Sequence, residues 1–314
     1  MLKVAVLPSS ENCLPVSTLI SSLPYDLASS LHVQSSADSS TIALLWLPTL
    51  ALGNTSSALR AVLSTAPNIR FVQLPMTGVD DFLPLMRELR TSGREVVWCC
   101  AKGCYGGVVA EHALALCLGL LRGLHRSPPA AGREVESMIG RRVVIIGAGS
   151  IGVRVRTLLH PFECQASTTT SSTTKEQLLQ ALALAEVVFI TCPLTPTTRG
   201  LFDETLFAAM PASCVLVNVA RGEIVDTRAM ISALQEGRLK GAALDIVSYP
   251  SVGREEQERE VQELVQRGKL LLTPHSAIPT QMIPALLGER IRHNLEVMVN
   301  GGTFAGQVDV ETGY

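Results

Sequence analysis

The sequence predicts an α/β protein built from parallel-sheet units in two domains. Short β-rich apolar runs alternate with helix-period segments almost throughout, which is the pattern of strand–helix–strand crossovers. A length of 314 residues exceeds the size at which a single core usually stops growing. A unit of six such strands begins only at Arg141, so the preceding third must form a domain of its own.

Taken in order, KVAVLP, TIALLWL, IRFVQLP and REVVWCC read as strands of the first third, separated by helical stretches such as SSALRAVLSTA and DDFLPLMRELRTSG. A long amphipathic segment from Val108 to His125 follows. The loop RSPPAAGRE ends it, because Pro128, Pro129 and Gly132 cannot continue a helix. From Arg141 the strands are VVIIG, ECQAST, EVVFIT, SCVLVNVA, GAALDIV and KLLLTPH. The Ser/Thr clusters at Ser35–Thr41 and Ser167–Thr174 are bounded by strands and read as loops. A last helix spans Gln281 to Asn300 and is stopped by Gly301 and Gly302. The boundaries expected are residues 1–100 plus 281–314 for the first domain and 101–280 for the second.

A hydrophobic share of 47% with 17% charged residues fits a compact, well-buried chain rather than a disordered one. A net charge of -2 without any basic block gives no reason to expect nucleic acid or a membrane surface as partner. The longest apolar region, VVAEHALALCLGLL, carries Glu111 and His112 and is a poor membrane span. The first residues, MLKVAVLPSS, hold too short an apolar run for a signal-peptide core. Eight cysteines (Cys13, Cys99, Cys100, Cys104, Cys117, Cys164, Cys192 and Cys214) are scattered without metal-ligand spacing, so no metal site is expected. A reducing, cytoplasmic setting is the expectation.

The stretch RRVVIIGAGSIG carries the clearest chemistry. An apolar strand that breaks into Gly-x-Gly-x-x-Gly opens the backbone for a dinucleotide pyrophosphate, and Gly147, Gly149, Ser150, Ile151 and Gly152 form that turn. Gly147 permits the bend, Gly149 lets phosphate approach, and Gly152 lets the next helix pack closely. The amides and dipole of that helix then face the anion. A glycine-rich strand-to-helix turn also occurs without ligand, so the motif alone is weak.

Three more segments follow strands of the second domain: TCPLTPTTRGLF (Thr191 to Phe202), NVARGEIVD (Asn218 to Asp226) and TPHSA (Thr273 to Ala277). Together with GAGSIG and the helix VVAEHALAL, they resemble the D-isomer-specific 2-hydroxyacid dehydrogenase family in order and separation. The resemblance runs from about Gly78 to Gly301. It implies two doubly wound parallel-sheet domains: a flavodoxin-like substrate domain from both chain ends and a Rossmann-like dinucleotide-binding domain inserted between them. It also implies a homodimer packed through the helix from Val108 to Leu121.

Arg221 follows CVLVNVA at a strand end, where its planar fork suits a carboxylate beside a keto group. Taken alone it could instead pair with Glu223 or Asp226; the resemblance implies substrate binding. His275, after LLLTP, matches the family's proton donor, an imidazole able to give and take a proton near neutrality, with a structural histidine as the alternative. Asp245 matches the aspartate that approaches the nicotinamide carboxamide, with a loop-capping acid as the alternative. Met76, Thr77, Gly78 and Val79 match the loop whose amides receive the substrate carboxylate, with an ordinary turn as the alternative. Cys192, Pro193, Val219 and Ala220 fall where the family lines its cofactor. His32, His112, His125, His160 and His293 lie outside the motifs and read as structural or solvated.

Two departures stand out. The family usually places a glutamate about five residues after the aspartate to keep the histidine protonated, and that count lands on Pro250. No acid occurs from Ile246 to Gly253, and Glu255 and Glu256 start a charged helix, EEQEREVQELVQR. Oxoacid reduction is therefore expected to fade at a lower pH than in typical members. The second departure lies about twenty residues beyond the glycine turn, where NAD-specific members carry a ribose-binding acid. This chain has Thr170, with no carboxylate from Cys164 to Lys175. That favours NADP(H) over NAD(H), although the arginine often seen for the 2'-phosphate is missing as well. The leading expectation is a reductase of small 2-oxoacids of the glyoxylate or hydroxypyruvate kind. The rival is a non-catalytic, dinucleotide-sensing binding protein on the same fold, favoured by the missing glutamate and disfavoured by retention of Arg221 and His275.

Overall fold

A computed structural model describes residues 1–8, 14, 23–49, 55–125 and 135–313. The loop RSPPAAGRE and Cys13 lie outside the described residues. The chain divides into two units, residues 1–105 with 279–314, and residues 106–278.

In the first unit the chain runs β1 (Leu2–Leu7), α1 (Tyr25–Ser30), β2 (Leu31–Gln34), β3 (Ala43–Trp46), α2 (Ser56–Thr65), β4 (Phe71–Gln73), α3 (Leu83–Thr91) and β5 (Val97–Cys99), and α10 (Ile283–Asn300) returns to it. All strand pairs are parallel, in the order β2-β1-β3-β4-β5, which is the flavodoxin-like doubly wound order. The central strands β3 and β4 are buried at every position, as a parallel sheet covered on both faces requires. β2 has no counterpart in the sequence reading. It is a four-residue edge strand, largely exposed, whose sequence LHVQ offers neither an apolar run nor a clean alternation. The returning helix is fixed by polar groups. Asn294, fully buried, donates to Gln73 Oε1 at 2.8 Å and exchanges two bonds with the Ala305 backbone. Arg290 donates to the carbonyls of Cys100 and Lys102, both at 2.8 Å.

The second unit runs α4 (Gly106–Arg122), β6 (Arg142–Ile146), α5 (Ser150–Leu159), β7 (Gln165–Thr169), α6 (Lys175–Leu182), β8 (Val187–Ile190), α7 (Glu204–Ala209), β9 (Val215–Asn218), α8 (Thr227–Gln235), β10 (Gly241–Leu244), α9 (Arg254–Gln266) and β11 (Leu270–Leu272). Its six parallel strands lie in the order β11-β10-β9-β8-β6-β7, so the winding reverses between β6 and β8. Residues 167–169 of the second Ser/Thr cluster belong to β7 rather than to a loop. β7 is an edge strand whose alternating exposure tolerates hydroxyl side chains. The inner strands VVFI, VLVN and GAAL are buried throughout. Among the described residues no helix is long and apolar enough to cross a membrane.

α4 lies across the sheet antiparallel to β10 and β11. A Cβ on Gly241 would sit 3.2 Å from Leu120, and one on Gly119 would sit 3.5 Å from Leu271. This orientation brings the first turns of α4 to the carboxyl edge of the sheet, where Gly106 approaches Ser150.

Candidate active site

The segments singled out in the second unit all follow the carboxyl ends of its strands, the edge at which open α/β sheets bind ligands. Ile146 leads into the glycine turn. Gly147 has φ 110°, and a side chain there would meet the Cys192 amide nitrogen at 2.8 Å. A Cβ on Gly152 would overlap the Gly147 carbonyl oxygen, so only glycine lets α5 start this close to β6. Thr191 staples the reversal point by donating its hydroxyl toward the carbonyls of Ile146 (3.0 Å) and Gly147 (3.1 Å). Gly149 is the N-cap of α5 and supplies no side-chain acceptor, leaving the first amides of a ten-residue helix to an anion. The turn thus fits a dinucleotide pyrophosphate.

After β9, Asn218 braces the arginine loop. Its Oδ1 accepts the Ala220 amide and its Nδ2 donates to the Arg221 carbonyl, both at 2.9 Å. Half-buried Arg221 donates from Nη1 to the Ala220 carbonyl at 2.8 Å. Asp226, one of its alternative partners, has Oδ1 committed to the Ala229 amide as the cap of α8. Val219 and Ala220 are buried beside it.

After β10 comes Asp245, 2% exposed. Its backbone joins the two neighbouring loops: its amide donates to the Asn218 carbonyl at 3.0 Å, and its carbonyl accepts the His275 amide at 2.8 Å. Its carboxylate accepts from the Thr273 hydroxyl (2.6 Å), the Ser276 amide (2.9 Å) and the Ala277 amide (3.2 Å). His112 of α4 adds Nε2 at 3.3 Å from Oδ1 and 3.0 Å from Thr273 Oγ1. Burial pushes the Asp245 carboxyl up, but the bonds from His112, Thr273 and the Ser276 amide outweigh it and hold the group below its ordinary value. Asp245 therefore does cap a loop, and the loop it caps carries His275.

His275 is exposed and lies in the left-handed region, φ 53°. That conformation costs a residue with a Cβ about 1–2 kcal/mol and persists only where the surroundings hold it. Among the described residues its ring makes no ion pair. The first acids after Pro250 lie on α9, where Glu256 pairs with Arg228 at 3.3 Å.

At the end of β7, Thr170 is exposed and shares a hydroxyl bond with Ser172 at 2.7 Å, while its amide is received by Thr173. In the first unit Met76–Val79 follow β4. Ala101 donates to the Met76 carbonyl at 2.9 Å and the Thr77 hydroxyl donates to the Ala101 carbonyl at 3.4 Å. Among the described residues the amides of Met76, Thr77, Gly78 and Val79 have no protein acceptor. Among the described residues no cluster of metal-ligating side chains occurs.

Three residues of the site have no role assigned from sequence: Asn218, Thr273 and above all His112, expected to be structural or solvated. His112 lies in the segment VVAEHALAL, but nothing local shows its role, because its partners lie 133 and 161 residues further along the chain.

Parallel sheet, reversal point and glycine turn together define a dinucleotide-binding α/β protein. The family model described as "D-isomer specific 2-hydroxyacid dehydrogenase, NAD binding domain" matches residues 124–277. The chain belongs to the D-isomer-specific 2-hydroxyacid dehydrogenase family, whose members are NAD(P)-dependent. It is 30% identical over 267 residues to an uncharacterised protein encoded beside proB in Corynebacterium melassecola, covering 79% of this chain and 84% of that one. It is 30% identical over 216 residues to a glyoxylate/hydroxypyruvate reductase A of Arabidopsis thaliana, covering 62% of this chain and 66% of that one. Among solved structures, the NADPH-dependent glyoxylate/hydroxypyruvate reductase of Sinorhizobium meliloti shares the fold, with a TM-score of 0.77 at 19% identity and full coverage of both chains. Crystal structures of this fold hold NAD in some cases and NADPH in others.

Proposed function

We propose that this chain reduces a small 2-oxoacid, of the glyoxylate or hydroxypyruvate kind, to the D-2-hydroxyacid with NAD(P)H. The observation that carries the reading is the double role of the Asp245 backbone, which joins the arginine loop after β9 to the histidine loop after β11 on the edge that also bears the glycine turn. Those two strands are separated only by β10, a span of roughly 10 Å, within the reach of an arginine and an imidazole acting on one small acid.

When bound, the reduced nicotinamide supplies the hydride. Arg221 holds and polarises the carboxylate and keto group through its planar fork. His275 gives a proton to the keto oxygen and recovers it in the reverse direction. The amides of Met76–Val79, without a protein acceptor among the described residues, are our candidates for the substrate carboxylate. Asp245 Oδ2, which accepts a single amide at 3.2 Å, keeps a lone pair for the nicotinamide carboxamide. The names borne by the Arabidopsis and Sinorhizobium relatives support the choice of substrate. For cofactor we favour NADP(H), since hydroxyls at Thr170, Ser172 and Thr173 take the place of the ribose-binding acid. We assign a homodimer through α4, to be checked by light scattering.

The test is oxidation of NADPH and NADH against a panel of 2-oxoacids. Turnover of glyoxylate or hydroxypyruvate that disappears in Arg221→Ala and His275→Ala supports the proposal. Tight cofactor binding with no turnover on any acid overturns it in favour of the non-catalytic reading.

A further inference from the structure

We infer that His112 is a positioning residue of the reductase site, setting the pose of the His275 loop through Thr273 and Asp245. The inference rests on the assignment of His275 made above. The geometry fixes the direction of each bond. An ionised carboxylate can only accept, so the Thr273 hydroxyl spends its single proton on Asp245 Oδ1 at 2.6 Å. Thr273 Oγ1 can then only accept from His112, and the Nε2 of His112 must carry a hydrogen, which also lies toward Asp245 Oδ1 at 3.3 Å. A helix of one layer thus grips a carboxylate buried at the sheet edge.

The same carboxylate receives the Ser276 and Ala277 amides, the two residues after His275, while its carbonyl receives the His275 amide. Four donors from the segment 273–277 therefore converge on one residue. They hold His275 at φ 53°, a backbone state it would otherwise leave. His112 touches neither the reacting atoms nor a cofactor turn. Its contribution is to keep Asp245 ionised and fixed so that the loop wound around it presents the imidazole in one orientation. Among the described residues no carboxylate pairs with the His275 ring, so its orientation comes from the backbone side.

Two substitutions separate this role from simple packing. Gln carries its amide nitrogen close to where His112 has Nε2, whereas Asn places it near Nδ1, out of reach of Thr273. His112→Asn is expected to lower kcat for 2-oxoacid reduction about tenfold or more while KM and cofactor Kd change by less than about threefold, as for outer-shell supports elsewhere. His112→Gln is expected to restore kcat to within about threefold of the parent. Hydrogen exchange of the Ser276 and Ala277 amides gives a readout independent of turnover: about tenfold faster in His112→Asn and near parental in His112→Gln. If the parent protein reduces no 2-oxoacid, the proposed function fails and the exchange rates alone decide this inference. Unchanged exchange in His112→Asn, or a His112→Gln variant as impaired as His112→Asn, overturns it.

Discussion

Asn218 Nδ2 donates to the Arg221 carbonyl at 2.9 Å, and the other end of the same amide accepts from Ala220 at 2.9 Å. The bond to the Ala220 amide is buried, so that amide has no water as a substitute. Asn218→Ala is expected to lose about 1–3 kcal/mol in urea unfolding, the cost of leaving buried partners unmade. Its kcat/KM should fall at least as far as loosening of Arg221 demands, about tenfold. Asn218→Asp keeps the acceptor for Ala220 but sets a charge against the Arg221 carbonyl, and should be no better. Parental stability and turnover in both variants would show that the arginine loop holds itself.

The Gly152 position tests the turn. A methyl group there would overlap the Gly147 carbonyl oxygen, which belongs to backbone and cannot swing away. Gly152→Ala is expected to weaken NADPH and NADH binding together by at least about tenfold, with a lower Tm, because α5 must move off β6 and take its free amides with it. Fluorescence titration of either cofactor measures this. Binding within twofold of the parent would contradict the close approach.

The scaffold was largely legible because parallel strands buried on both faces are near-continuous apolar runs, as in VVFI and VLVN, and glycine turns have fixed spacing. The strand β2 escaped for the opposite reason: at a sheet edge LHVQ needs to bury only one residue fully. Arg221 and His275 stood out because they follow such runs. Their supports did not. Asn218, Thr273 and His112 act through bonds to segments far along the chain, and no local spacing announces a bond that only the folded sheet creates.

Asp245 makes acid stability a readout of its network. Its folded carboxyl is held below the ordinary value of 3.8, because the His112, Thr273 and Ser276 bonds exceed the opposing effect of burial. A carboxyl lowered on folding contributes stability that is present above its unfolded pKa and lost as pH falls through the folded value. The contribution should therefore be full above about pH 4–5 and decline below it. Unfolding free energies of the parent and Asp245→Asn, measured from pH 7 downward, should converge below pH 4. A gap that stays constant through that range would remove the carboxylate from the account.

Buried thiols offer a check on the core. Burial pushes Cys99, Cys117 and Cys214 up to about 12 and Cys192 up to about 11. The thiolate is the reacting species, so at pH 8 these four should resist iodoacetamide until urea unfolds the chain. Half-buried Cys104 and Cys164 should be alkylated earlier. Site-resolved mass spectrometry reads the order. Early modification of Cys192, which lies against Gly147, would mean that the glycine turn opens in the native state.

Cofactor preference turns on the end of β7. Thr170 is exposed there, its hydroxyl bonded to Ser172, and no carboxylate follows before Lys175. A 2'-phosphate placed there would meet hydroxyl donors and no carboxylate from residues 164–175, whereas an acid at this place would accept from ribose hydroxyls and repel phosphate. The parent is expected to bind NADPH more tightly than NADH. Thr170→Asp is expected to weaken NADPH by at least about tenfold, equivalent to about 1.4 kcal/mol, and to leave NADH equal or tighter. The two titrations must move in opposite senses for the assignment to stand. Equal weakening of both would mean that the substitution has only disturbed the Thr170–Thr173 turn, and parental NADH binding about tenfold tighter than NADPH would refute the preference outright.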